Sequence, residues 1–355
     1  MSFKCSMSNY LLHEDNSTEL VLNTIRQISK QYQPVHVRLC ITLCTFGTCT
    51  NVLNFLVLTR PHMRTSCNMM LAIIALLDMS LMLLYMVYII HFNVASAEQC
   101  EQLTYTYGWT LFLLIHALVS IVLHTTSLWL TALLALVRLV VLRNNQVTSR
   151  LLSIAFVFKL FFWVSGIIIL FALPSTLAFG VEAIDCLLLK VTFWVNGLIF
   201  KVVPCIVLLF SIIGLVRTLG EAKARSERIG GLRKRRSAKY FSQSTTKMLV
   251  AVVSIFLITE LPQAVLATLS AIYPGEVYNK IYPMLGDLLD LLSLINSSTN
   301  FILYCIMSSQ FRDTFERMFL PSFLRCCRKK YSSILRSEGC YRLCRRMRAP
   351  NVREV

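Results

Sequence analysis

Of 355 residues, 56% are apolar and only 15% are charged, yet 35 Lys and Arg against 18 Asp and Glu leave a net charge of +17. A soluble domain carries charge on about a quarter of its residues, so this composition speaks against a soluble enzyme or binding domain. Nor does the positive charge imply a nucleic-acid partner. It is concentrated in Arg60–Arg64, Arg143–Arg150, Arg217–Lys247 and Arg312–Arg353, and these segments alternate with loops poor in Lys and Arg. That alternation is the positive-inside pattern of a multi-span membrane protein.

In chain order, Met1–Leu20 holds no apolar run, so the first span is expected to act as its own signal anchor with the N-terminus outside. Asn16-Ser17-Thr18 in this segment is a glycan acceptor pattern. Seven apolar runs follow, at roughly 37–59, 67–92, 105–142, 151–173, 191–219, 245–272 and 281–307, each at or beyond the ~20 residues that cross a bilayer. The third exceeds what the membrane requires and predicts tilt or helix reaching into water. Beyond them, Phe311, Phe315, Met318 and Phe319 share one helical face opposite charges, the pattern of an interfacial helix over 308–320. The expected organisation is therefore an outer segment 1–36, a seven-helix transmembrane bundle 37–307, the amphipathic helix, and a basic inner tail 321–355 in contact with membrane lipid. Cys326 and Cys327, set among Lys and Arg, are palmitoylation candidates or two free thiols.

Charge inside a span is costly and usually functional. Asp78 lies midway through the second run, where an acid costs about 2.5–3.5 kcal/mol on insertion scales. It must face the bundle interior, with Asn51, Ser127, Asn296 and Asn300 as candidate partners at the same depth. Such a ring of oxygens suits a sodium ion or a proton, or simply fixes helix packing; no other cofactor is expected. Glu260 stands either opposite a cationic ligand group or as a hydrogen-bonded core acid. Asp287 and Asp290, three apart on one face of the seventh run, either attract a basic ligand or are solvated. His116 and His124 read first as core histidines, with His116 kept as a ligand candidate.

Several residues recur in order and spacing: Asn51 after Gly47, Asn68 ten before Asp78, Arg138 closing the third run, and Trp163 in the fourth. Pro204 and Pro262 stand in the fifth and sixth, Phe256 six before Pro262, and Asn300-Phe301-Ile302-Leu303-Tyr304 in the seventh. From Gly47 to Phe319 the chain thus resembles rhodopsin-like G-protein-coupled receptors. Residues 124–138, 245–272 and 296–315 are similar to the FMRFamide and myosuppressin neuropeptide receptors of invertebrates, including the nematode branch. The resemblance implies an amidated Arg-Phe-type peptide ligand, a heterotrimeric G protein engaged through Arg138 and Tyr304, and a multi-pass plasma-membrane location with the C-terminus inside.

The departures from that pattern are specific. Val137 stands where an acid usually precedes the Arg, and Leu139 where Tyr usually follows, so Arg138 lacks its local counter-charge. Phe301 replaces the usual proline, which predicts a softer kink, and Glu260 replaces the Trp two residues before Pro262. The usual cysteine at the outer end of the third span is missing. Cys100 and Cys186, the two cysteines of the expected outer loops, are the candidate disulfide in an oxidising compartment.

A peptide-gated receptor is the leading expectation, with helices three, five, six and seven around the pocket. A chemosensory receptor for small molecules on the same fold is the nearest alternative. An ion transporter or channel using Asp78 and Glu260 is the alternative of a different class; unbroken helices and the lack of an internal repeat argue against it. No nucleophile or metal constellation points to an enzyme.

Overall fold

The computed structural model describes residues 16–95, 104–143, 153–180, 191–228, 235–273, 277 and 280–319. These form helices α1 (Asn16–Leu58), α2 (Ser66–Ile89), α3 (Tyr107–Arg143), α4 (Ile154–Gly180), α5 (Val203–Arg228), α6 (Arg235–Ile272), α7 (Tyr282–Met307) and α8 (Ser309–Phe319). No strand occurs among the described residues. Seven of the helices are long and apolar enough to cross a membrane. This is the expected all-α, seven-span architecture, and the reason is elementary. Inside hydrocarbon every backbone N–H and C=O must be satisfied within its own segment, and a helix does this.

Several helices outrun the apolar runs that define them. The helix of the first run begins at Asn16, and that of the sixth at Arg235. At 37 residues, α3 is about 56 Å long, against ~30 Å of hydrocarbon, so its ends project. α3 is also the central member, packing on α2, α4, α5 and α6, while α1 lies on α2 and α7, and α7 closes the ring against α6. The two ends of the bundle are named below by α3: the Trp109 end, where α1 and α7 also begin, and the Arg138 end.

Side chains sort by this arrangement. Phe162, Trp163 and Leu170 of α4, Phe210 of α5 and Ile258 of α6 are exposed apolar residues turned to lipid. Polar side chains turn inward or bond their own helix, as Thr45 does to the Ile41 carbonyl, Thr131 to Ser127 and Ser298 to Leu294. Gly47 allows close approach of three helices. A Cβ there would fall 2.5 Å from Met82 Cε of α2 and 2.7 Å from Ser298 Oγ of α7. At the Arg138 end, α1 turns into α2 through one 3-10 turn, Pro61–Met63. Thr65 caps α2 by accepting from the Asn68 N–H at 3.2 Å, and the Asn68 amide donates to the Met63 carbonyl at 2.7 Å.

The chain divides after Ser308 into two compact units. In the second, α8 is an 11-residue helix with Phe315 and Phe319 in ring contact at 5.0 Å. Cys100, Cys186, Cys326 and Cys327, and the side chain of Asn16, lie outside the described residues.

Candidate functional site

The polar interior falls into three layers along the bundle. The middle layer holds a charge pair that the sequence reading only half anticipates. Glu260 of α6 is 0% exposed. Its Oε2 accepts from Lys201 Nζ at 2.8 Å and lies 3.1 Å from His124 Nε2 of α3. Lys201 also donates to Gln263 Oε1 at 2.5 Å. The Gln263 amide in turn donates to the Leu289 carbonyl at 2.8 Å and to Ser293 Oγ at 2.6 Å, both on α7. Of the two readings of Glu260, the structure thus supplies internal partners, and His124 serves as one of them. Such a desolvated pair survives because each charge has excellent geometry and further hydrogen bonds. Glu260 Oε1, by contrast, is buried with no described partner.

Local backbone chemistry puts Lys201 there. Pro204 has no N–H, and its ring would collide with the carbonyl four residues earlier in a regular helix. The chain meets this with a π-helical stretch, Val195–Val202, closed by the Val203 N–H to the Leu198 carbonyl. The wider turn re-aims the side chains before it. Gly197, within the same stretch, lets it close on α6: a Cβ would sit 3.1 Å from the Ala267 carbonyl oxygen. The sequence did carry a signal for Lys201, since a cation amid the apolar 191–219 run is as costly as Glu260 itself.

Toward the Arg138 end lies the Asp78 layer. Asp78 is buried, accepting from Ser127 Oγ at 2.9 Å and from the Asn300 amide at 3.4 Å. Two of the four expected partners are therefore direct. Asn51 turns its amide to the Ser297 carbonyl at 3.0 Å instead, leaving its Oδ1 without a described partner. Asn296 is buried one residue earlier and makes no hydrogen bond to Asp78. Beyond this layer Tyr304 is buried. Arg138 is half-buried and forms no ion pair with any described carboxylate.

The third layer is at the Trp109 end. The Tyr85 hydroxyl of α2 donates to Asp290 Oδ2 of α7 at 3.4 Å, and the buried His36 of α1 lies 3.3 Å from the same hydroxyl and 3.9 Å from Asp287. Asp290 nonetheless stays solvent-exposed. A carboxylate that bonds across to α2 points between helices, so its exposure is to the bundle interior, not to lipid. Beside it, His116 stacks on Tyr88 with ring centres 4.8 Å apart, and Trp109 stacks on His91 at 3.5 Å. Phe112 joins the two stacks, 5.7 Å from Trp109 and 5.9 Å from His116. His116 Nε2 is buried with no described partner. His36 and Tyr85 were not singled out from the sequence: one precedes the first run and the other looks like a lipid-facing aromatic until the packing is known.

Comparison with known proteins places this architecture. A family profile described as "Serpentine type 7TM GPCR chemoreceptor Srw" matches residues 38–187 and 177–322. The chain is 33% identical over 376 aligned positions to the G-protein coupled receptor dmsr-1 of Caenorhabditis elegans, covering 87% of this chain and 73% of that protein. It is 27% identical to the Sex peptide receptor-related protein 2 of the same organism, over 85% of this chain and 76% of that protein. With the Sex peptide receptor of Drosophila melanogaster the identity is 26%, over 59% of this chain and 54% of that protein. With seven spans, a charge-bearing interior and these matches across most of its length, the chain belongs to the serpentine seven-transmembrane G-protein-coupled receptors and is a multi-pass receptor of the plasma membrane.

Proposed function

We propose that this receptor is activated by an extracellular neuropeptide of the amidated Arg-Phe type, and that it passes a conformational change to a heterotrimeric G protein. The observation that carries this reading is the Trp109-end layer, where an accessible carboxylate at Asp290 opens inward beside stacked aromatic side chains. A guanidinium suits the acid and a phenyl ring suits the wall. The names of two relatives, a sex peptide receptor and a sex peptide receptor-related protein, agree with a peptide ligand. In this reading the Trp109 end faces outside and the basic Arg138 end the cytoplasm, an orientation supported by the positive-inside distribution of Lys and Arg.

In this reading Asp287, Asp290 and His116 serve the ligand, while Arg138 and Tyr304 serve the G protein. Asp78, Ser127 and Asn300 hold a sodium ion in the resting state. Asn16 carries a glycan, Cys100 pairs with Cys186, and Cys326 and Cys327 carry palmitate. A small-molecule chemosensory role is the second reading, favoured by the word chemoreceptor in the description of the matching family. Cells expressing the full chain, challenged with a panel of amidated Arg-Phe peptides and a panel of small volatile and water-soluble compounds, separate the two. Nanomolar G-protein activation by a peptide supports the proposal, and a response to small molecules alone overturns it.

A further inference from the structure

Among the described residues, Lys201 and Glu260 between them leave one donor and one acceptor unused. A Lys ammonium has three N–H donors. Two are directed to Glu260 Oε2 and Gln263 Oε1, at 2.8 and 2.5 Å, and the third has no described partner. A carboxylate accepts at two oxygens, yet both the Lys201 and His124 contacts fall on Oε2, and Oε1 is buried without a partner. An unpaired buried acceptor is costly, so a donor brought to Oε1 would be held there. Glu260 is sealed, but Lys201 and His124 keep 15% and 14% of their side chains accessible, so the pair borders reachable space.

Position along the bundle gives that space an address. His124 lies eight residues beyond His116 on α3, about 12 Å deeper than the aromatic layer. Gln263 ties the pair to Ser293, one turn of α7 beyond Asp290. The pair therefore forms the floor under the Trp109-end layer, within reach of a ligand end that descends past Asp290.

We propose that Lys201 and Glu260 bind a primary carboxamide, the C-terminal amide of the peptide ligand, and make the receptor select amidated over free-acid peptides. The amide NH2 donates to Glu260 Oε1 while its carbonyl accepts from the spare Lys201 N–H. A terminal carboxylate satisfies Lys201 but meets Glu260 as a like charge with no proton to offer, which costs several kcal/mol. The inference rests on the peptide reading above and adds to it the residues that read the peptide terminus.

The test uses cells expressing the full chain and three forms of the tetrapeptide Phe-Met-Arg-Phe: the primary amide, the dimethylamide and the free acid. The wild type should favour the primary amide over the free acid, and over the dimethylamide, by at least ~30-fold. Glu260→Gln should narrow the amide-to-acid ratio to under about threefold by making the free acid more potent in absolute terms, a gain that misfolding cannot produce. If Glu260→Gln does not reach the surface, Lys201→Gln with Glu260→Gln, which leaves no unpaired charge, should show the same collapse of the ratio. An unchanged ratio in whichever variant is expressed overturns the carboxamide site and leaves the peptide reading standing. No response of the wild type to the amide overturns both.

Discussion

Replacing Lys201 by Met tests the charge pair directly. The substitution keeps the length and flexibility of the side chain and removes only the ammonium. Glu260, 0% exposed, would then keep the His124 contact at 3.1 Å and lose the 2.8 Å one. Breaking a buried pair by deleting one partner costs about 3–5 kcal/mol, because the other charge stays desolvated. Replacing both by Met removes the stranded charge, and similar replacements elsewhere have been neutral or stabilising. Thermal inactivation of the detergent-solubilised receptor reads this as a rate. Each 1.4 kcal/mol lost from the unfolding barrier shortens the half-life by about tenfold. Lys201→Met should shorten it by more than about a hundredfold, and Lys201→Met with Glu260→Met should recover most of that, for a coupling of roughly 2–3 kcal/mol. If the double variant instead loses the sum of the two singles, Lys201 and Glu260 act independently and the reasoning about their pairing is refuted.

Three further outcomes are expected. Asp290→Asn should lower the potency of an Arg-containing agonist by more than about tenfold while sparing an analogue with a neutral residue in place of Arg, measured by G-protein activation; equal losses would reduce Asp290 to a partner of Tyr85. Gly47→Val should cut surface expression, since even its first carbon would meet Met82 Cε at 2.5 Å and Ser298 Oγ at 2.7 Å, an overpacking of about 1–3 kcal/mol or more. Arg138 pairs with no described acid, so Val137→Asp should supply a restraint and lower signalling in the absence of agonist, by about tenfold for each 1.4 kcal/mol the restraint contributes; unchanged basal activity at equal surface expression would place the resting restraint elsewhere.

The spans were legible because hydrocarbon imposes one rule on every backbone group, and runs of apolar residues obey it visibly. Asp78 was legible for the converse reason: an acid in such a run has few places to point, and Ser127 and Asn300 lie where spacing puts them. Partners whose positions depend on backbone irregularity were not. Lys201 meets Glu260 because a π-helical stretch ahead of Pro204 turns it inward, and no periodicity argument at 3.6 residues per turn contains that shift. Asn51, a candidate partner of Asp78 by its place in the first run, bonds the Ser297 carbonyl instead, a backbone group that no list of polar side chains includes. Tyr85 and His36 needed knowledge of which face of α2 meets α1 and α7. The sequence of α2 is so uniformly apolar that it does not show a face.

The replacement of an aromatic residue by Glu260 has a consequence for how this receptor can change state. A buried ring can turn within its cavity at modest cost, whereas an ion pair holds two helices at hydrogen-bond distance. Lys201 belongs to the segment entering α5, Glu260 and Gln263 to α6, and Gln263 is tied in turn to α7. Outward movement of α6 alone at this level would stretch the 2.8 Å contact and strand both charges, at the several kcal/mol that separation costs. That leaves two ways to open the Arg138 end. Either α5 and α6 move together as a unit pivoting on the pair, or a bound group satisfies Lys201 and Glu260 so that they can part. A ligand that contacts the pair in one state more strongly than in the other shifts the equilibrium by that difference and no more. A carboxamide bridging the two charges would satisfy that condition. It links Glu260 Oε1 to the spare Lys201 N–H, so a connection between the charges remains when opening stretches the direct contact; the stranding cost of the open state falls, and agonism follows from that difference.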